Sequence, residues 1–387
     1  MNVENIKEIT LKKHVYKLLA KGVFEGVFPC AASSISYDLD RERKTIITYS
    51  GNAEIFPEKR KIRKKYYFDL ASLTKPFATT MAILCLLRMG KIGVDEKLES
   101  LIEKKINNEK KGISLRWLLS HSAGFPAHRE YFKILKDIPE KRKDDHILAM
   151  LLNEKLEYRP GTKSVYSDLG FMLLGKIIEK KQGCSLADFV EKKVLKPINM
   201  ENEIFYNPIG TEKKKHQPKD FVATEKCPWR KKILCGEVHD DNCYTMSGIA
   251  GHSGLFGNIE GVTAYASLIL DMWKGRKHHP NIENKDLKTF LLRQADIPGS
   301  SWSLGFDTPA GIGSSSGKYF SAMSVGHLGF TGTSFWIDPE KEIVVVLLSN
   351  RVHPDRKNTK IRSFRPFFHD SVLQKFFYGR EGENVVL

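Results

Sequence analysis

Ser72 and Lys75 stand three residues apart in FDLASLTKPF (68–77), at the head of an apolar run. A serine hydroxyl is a poor nucleophile until a base takes its proton, and an amine within hydrogen-bonding reach is such a base or steers one. Residues i and i+3 of a helix share a face, so a helix here brings Nζ to Oγ. A first helical turn also leaves N–H groups unpaired and carries the positive end of the macrodipole. The Ser72 N–H can then meet a developing oxyanion, and the field disfavours an added positive charge on Lys75. Lys75 is itself the base if its pKa is lowered, or it stays a cation and serves a second base. The competing account is a Ser72 helix cap beside a solvated lysine. Spacing does not decide, because about one to three Ser-x-x-Lys matches arise by chance in a chain of this length. Ser315 and Lys318 in GIGSSSGKYF are a second copy, in a Gly/Ser-rich loop where nothing fixes the two side chains.

Two further stretches bear on the choice. RPGTKSVYSDLGFMLLGKII places Tyr166, Ser167 and Asp168 in a turn after Pro160 and Gly161, just before an apolar helix. Its phenol is a general base if cationic Lys75 lowers its pKa. VGHLGFTGTSFW places His327, Leu328 and Gly329 on an expected strand. Glycines there let backbone N–H groups approach a ligand, and the Phe330 N–H would complete an oxyanion hole with that of Ser72.

With these stretches in this order, the chain resembles the serine β-lactamase and penicillin-binding-protein-like hydrolases, in the class C branch. The resemblance spans roughly residues 15–375, through GVFPCAA, FDLASLTKPF, GKIGVDEKLES, ISLRWLLSHSAGFP, YRPGTKSVYSDLGFMLLG, EVHDDNCYTMSGIAGHSGLFG, GHLGFTGTSFWIDP and VLLSNRVHP. It implies that Ser72 is the acyl-forming nucleophile, Lys75 its partner and Tyr166 the base. His327 to Gly329 then corresponds to the third motif, Lys-Thr-Gly in true β-lactamases and His-x-Gly in many esterase and peptidase relatives. Two departures narrow the chemistry. Asp168 stands where the family often has Asn, and a carboxylate cannot donate an amide N–H to a substrate carbonyl. His327 replaces a permanent cation. Both point away from efficient β-lactam hydrolysis and towards an ester or another amide.

CGEVHDDNCYTMSGIAGHSGLFG resembles a bacterial subset that includes a cytoplasmic muropeptide amidase and D-Ala carboxypeptidase-like proteins. That resemblance puts His239, Asp240 and Asp241 along a substrate cleft and His252 in the wall between lobes, or leaves them as loop-ordering groups. Arg351 and His353 in SNRVHP bind a substrate carboxylate or hold a strand-end turn. His121 in LLSHSAGFP reads as a packed helix-end residue. The expected substrate is a small molecule or a muropeptide amide, with a carboxylesterase, or a non-catalytic sensor on the same fold, as alternatives. Neither metal nor organic cofactor is called for.

The elements that must position these residues fit one catalytic unit over 1–387. The predicted fold class is α/β (α+β) of the β-lactamase/transpeptidase-like type: an antiparallel sheet from both chain ends, flanked by helices (roughly 1–92 and 262–387), with a mostly helical part at roughly 93–261. PCAASSISYDLD and KTIITYSGNA read as strands, Leu70 to Met89 as a helix, and SLGFDT, SAMSVGHLG and the pair TSFWIDPEK/EIVVVLLSNR as further strands. A last helix lies near RPFFHDSVLQKFF.

A content of 41% hydrophobic residues suffices for a full core. No apolar run spans a membrane, the first 26 residues lack the h-region of a signal peptide, and the expected compartment is the cytoplasm. The net charge of +16 comes from dispersed lysine runs (59–65, 213–215, 274–279), mostly without the interleaved aromatics of a nucleic-acid platform, so no nucleic-acid partner is expected. The six scattered cysteines read as reduced thiols; Cys227, Cys235 and Cys243 lie near His239 and His252 but match no common zinc spacing.

Overall fold

The computed structural model describes residues 3–39, 42–103, 106–210, 216–311 and 313–379. The lysine run at 213–215 lies outside them. Helix α1 (Val3–Phe24) leads into β1 (Cys30–Leu39), β2 (Glu42–Glu54) and β3 (Arg60–Lys61). Short strands β4 (Phe68–Asp69), β5 (Ile204–Tyr206), β6 (Lys226–Cys227), β7 (Lys232–Ile233) and β8 (Leu255–Gly257) follow, and β9 (Val325–Leu328), β10 (Ser334–Asp338) and β11 (Ile343–Ser349) complete the set. The longer helices used below are α2 (Met81–Arg88), α3 (Asp168–Gln182), α4 (Ile259–Trp273) and α5 (Ile361–Tyr378).

The main sheet runs β3–β2–β1–β11–β10–β9, antiparallel throughout, so strands from the two chain ends meet at the β1–β11 ladder. Every residue of β11, IVVVLLS, is buried, as a central strand covered on both faces requires. Its alternation sorts the side chains. Val344, Val346 and Leu348 join the core shared with α2 and α4, while Ile343, Val345 and Leu347 join a second core under α1 and α5. A smaller sheet, β4–β8–β5, ties the segment just before Ser72 to the helical middle of the chain.

Two expected elements differ. Leu70 to Met89 is not one α-helix: Ala71–Leu73 is a 3-10 turn, Lys75–Thr80 a π turn, and only Met81–Arg88 is α. Pro76 contributes no N–H, and the Thr74 hydroxyl donates to the Ala71 carbonyl at 2.6 Å, so the ladder shifts register there. SLGFDT is not a strand. Gly305 turns the chain with φ +88°, and only Asp307 makes isolated bridges, to Trp302 and Gly326. Among the described residues no helix is long and apolar enough to cross a membrane, and no group of three or more His, Cys, Asp or Glu side chains is placed to hold a metal ion.

Candidate active site

Ser72 sits on the 3-10 turn after β4. The turn is fixed by the buried Asp69: Oδ1 accepts the Ala71 N–H at 2.8 Å and Oδ2 the His239 N–H at 2.6 Å. Ala71 adopts φ +48°, a left-handed conformation that costs a non-glycine residue energy and is held here by its surroundings. Hydroxyls of Thr331 and Thr333 donate to the Asp69 and Leu70 carbonyls at 2.7 and 3.1 Å, which locks the loop after β9 onto the turn that carries Ser72.

Lys75 is fully buried, and four oxygens surround its Nζ: Ser72 Oγ at 3.0 Å, Tyr166 Oη at 2.7 Å, Asp168 Oδ1 at 2.7 Å and the His252 carbonyl at 3.2 Å. Burial favours the neutral amine, but Asp168 and Tyr166 outweigh it and hold the Lys75 pKa above the ordinary lysine value. Burial also works against the Asp168 carboxylate, and Lys75 overcomes it, keeping that carboxyl well below its usual range. The resting pair is therefore ammonium and carboxylate. Of the two states left open for Lys75, the site favours the cation: a carboxylate at 2.7 Å exceeds a partial dipole charge spread over an irregular turn. Burial pushes the Tyr166 phenol up, with the Lys75 ammonium acting in the opposite direction.

Tyr166 and Asp168 flank the start of α3. Ser167 is the N-cap, accepting the Gly170 N–H at 3.3 Å, so Asp168 occupies the first turn where the helix dipole suits an anion. His121 sits beneath Tyr166, their rings 4.7 Å apart, and its Nδ1 accepts the Ser167 N–H at 3.1 Å. It is the packed residue expected from the sequence. His128 places Nδ1 3.4 Å from Asp168 Oδ2, and the hydrogen bond to that carboxylate raises its pKa.

On the opposite wall, β9 presents His327. Its Nδ1 bonds the Leu328 carbonyl at 2.8 Å, which fixes the proton on Nδ1 and leaves Nε2 a bare acceptor, buried and without a partner among the described residues. Burial and the Lys75 charge push the His327 pKa down to about 3. Gly329 has no room for a side chain: a Cβ would lie 1.9 Å from Thr333 Oγ1 and 2.7 Å from the Leu70 carbonyl oxygen. Among the described residues nothing accepts the Phe330 N–H, which lies in the loop after β9.

These walls enclose a cavity of about 670 Å³ that Ser72, Tyr166, Asp168, His327, Gly329 and Phe330 all line. His239 and His252 line it too. His252 Nε2 meets Asp240 Oδ1 at 2.9 Å, and His239 Nε2 lies 3.3 Å from Glu225 while its ring stacks on Phe330. Against the burial penalty, His252 keeps the Asp240 pKa at about 2. Arg356 bonds both Glu225 and Asp241, so Asp241 belongs to an ion-pair network at the cavity edge. Arg351 gives its donors to the carbonyls of Phe330, Arg356 and Asn358, and His353 bonds the Thr224 carbonyl and the Ile55 N–H; both hold loops. Lys318 and Ser315, the second Ser-x-x-Lys copy, are not among the residues lining this cavity. Sequence reasoning missed Trp302, Asp307, His128 and Arg365, all on the cavity wall. Asp307 lies in the stretch misread as a strand and Trp302 just before it, and His128 follows Pro126 and Ala127 with no motif of its own.

A family model described as Beta-lactamase matches residues 38–365. The chain belongs to the beta-lactamase family. A Bacillus subtilis (strain 168) protein named N-acetylmuramyl-L-alanine amidase is 30% identical over 387 aligned residues, covering 91% of this chain and 84% of the relative. The octameric penicillin-binding protein homologue from Pyrococcus abyssi superposes with a TM-score of 0.70 at 20% identity, over 96% of this chain and 78% of that one. EstCE1, a hydrolase with promiscuous acyltransferase activity, gives 0.69 at 18% identity, over 93% and 100%. The two structures show the shared fold. Within this beta-lactamase-family hydrolase, Asp168 is an ion-pair partner of Lys75 and His327 a neutral acceptor, so neither supplies a cation or an amide donor at the cavity wall.

Proposed function

We propose that the chain is a serine hydrolase that cleaves a peptidoglycan-derived amide, such as a muropeptide, through an acyl-enzyme on Ser72. The observation that carries this is the buried Lys75 ammonium within 3.0 Å of Ser72 Oγ and 2.7 Å of Tyr166 Oη, beside a cavity with room for a substrate. Once the coupled Tyr166–Lys75 pair has lost one proton to solvent, Ser72 Oγ attacks the carbonyl carbon while its own proton passes to the pair. The Ser72 and Phe330 N–H groups hold the oxyanion. Collapse breaks the C–N bond, and the pair returns the proton to the leaving amine. Water then attacks the acyl carbon through the same pair, releasing the acid and restoring the Ser72 hydroxyl.

The substrate class is supported by the name of the Bacillus subtilis relative and by the arginines on the cavity wall, which suit an anionic fragment. The neutral His327 and anionic Asp168 weigh against a β-lactam. A fluorophosphonate probe is expected to add to Ser72, as read by peptide mapping, and Ser72→Ala to abolish both labelling and release of peptide from muropeptides. Labelling elsewhere, or full activity in Ser72→Ala, defeats the mechanism. Turnover of p-nitrophenyl esters with muropeptides left intact would replace the amidase with a carboxylesterase.

A further inference from the structure

Arg365 projects from the first turns of α5 to the cavity wall and is 6% exposed. Nη2 donates to the carbonyl oxygens of Gly329 at 2.7 Å and Thr333 at 2.8 Å, while Nε is buried without a partner among the described residues. Among the described residues no carboxylate pairs with it; burial together with the Arg351 charge pushes its pKa down to about 9. A buried, unpaired guanidinium costs stability, and a neutral donor would satisfy the same two carbonyls at less cost. The charge itself therefore asks for an account.

The acceptor supplies one. The Gly329 carbonyl and the Phe330 N–H are the two ends of a single planar peptide group. A cationic donor on that carbonyl oxygen draws electron density from the amide nitrogen and makes the N–H a stronger donor. This N–H is the one assigned above to the oxyanion. The peptide cannot swing to adapt, because Gly329 is clamped between Thr333 and Leu70, and Thr331 and Thr333 are tied to the turn before Ser72. Polarisation thus acts on a donor already in place, in a site partly withdrawn from water where charge is weakly screened.

We infer that Arg365 is a positioning residue that strengthens the Phe330 N–H as an oxyanion donor through the Gly329–Phe330 peptide. The inference rests on the acyl-enzyme reading. Its effect is confined to states that carry negative charge on the acyl oxygen, so it belongs to kcat and to transition-state mimics rather than to ground-state binding.

The test compares Arg365→Gln, which keeps an amide donor and loses the charge, with Arg365→Lys, which keeps the charge. In Arg365→Gln, kcat on a muropeptide or p-nitrophenyl ester is expected to fall roughly tenfold at unchanged KM. A boronic acid that forms a tetrahedral adduct on Ser72 should weaken by a matching factor, and the Phe330 amide proton should shift upfield. Arg365→Lys should remain within about threefold of the parent. Equal kcat and boronate affinity in Arg365→Gln, or equal losses in Gln and Lys variants with unchanged melting temperature, overturns the inference. If Arg365→Gln does not fold, a tenfold kcat loss in a folded Arg365→Lys overturns it as well. Absence of a Ser72 fluorophosphonate adduct in the parent protein defeats the acyl-enzyme reading instead; a normal adduct with an unaffected Arg365→Gln defeats this inference alone.

Discussion

Asp168 sets the charge state of the site. Its carboxylate raises the pKa of both Lys75 and Tyr166, so at neutral pH the pair holds one proton more than a base needs. The kcat/KM profile should therefore rise with pH as that proton leaves. Asp168→Asn removes the charge that favours the protonated pair, so the rising limb should move to lower pH, measured as kcat/KM on an ester between pH 5 and 10. A limb that stays in place or moves up would mean that Asp168 does not couple to the base. At this scale the sequence named Ser72, Lys75, Tyr166 and Asp168 and brought them together in principle through spacing and resemblance. It did not give the sign of the Lys75 shift, because that depends on a carboxylate 93 positions away coming within 2.7 Å.

At the scale of elements, the site is made by short irregular pieces docked on regular ones. The 3-10 and π turns aim Ser72 and Lys75, and the loop after β9 is fastened to them by two threonine hydroxyls. Gly329→Ala should be disruptive, since its methyl group meets Thr333 and a backbone carbonyl with no flexible neighbour to yield. The expected cost is about 1–3 kcal/mol of stability. A loss of kcat beyond what the folded fraction explains is also expected, because the Phe330 N–H would be displaced. Urea unfolding and kcat measured on the same preparation check it; a variant with parental kcat would remove the loop from the catalytic geometry. The regular elements were legible from periodicity: β1, β2, β9, β10, β11, α3 and α5 lie where alternation and apolar spacing put them. The turns after β4 and the stretch 303–308 were not, because their hydrogen bonds go to distant partners such as Leu119 and Leu255 rather than along the chain.

For the whole molecule, burial of neutral histidines makes stability depend on acidity. His327 and His369 have native pKa values of about 3 and about 4, both pushed down mainly by burial. Unfolded histidine titrates near 6.5. The unfolded chain thus binds protons that the native state refuses, and the contribution of each residue is intact above pH 6.5 and falls as pH drops towards the native pKa. At pH 5 each should cost about 2 kcal/mol relative to pH 7.5. Urea midpoints at the two pH values should show the drop, and His369→Gln, remote from Ser72, should reduce it by about the share of one histidine. Equal midpoints at pH 7.5 and 5 would show that these rings are not held neutral.

The amino-acid sequence alone determined what depends on neighbours and periodicity: the strand and helix pattern, the sheet built from both chain ends, and the ordered motifs that carry Ser72, Lys75, Tyr166 and His327. Tertiary structure decided what depends on distance. It placed Asp168 against Lys75 and gave His327 a bare Nε2. It turned Arg351 and His353 into loop braces and set an unpaired Arg365 behind the Gly329 carbonyl. Charge, hydrogen bonding and burial act over a few ångströms, and residues hundreds of positions apart acquire those distances only when the sheet closes, with α1 and α5 on one face and α2 and α4 on the other.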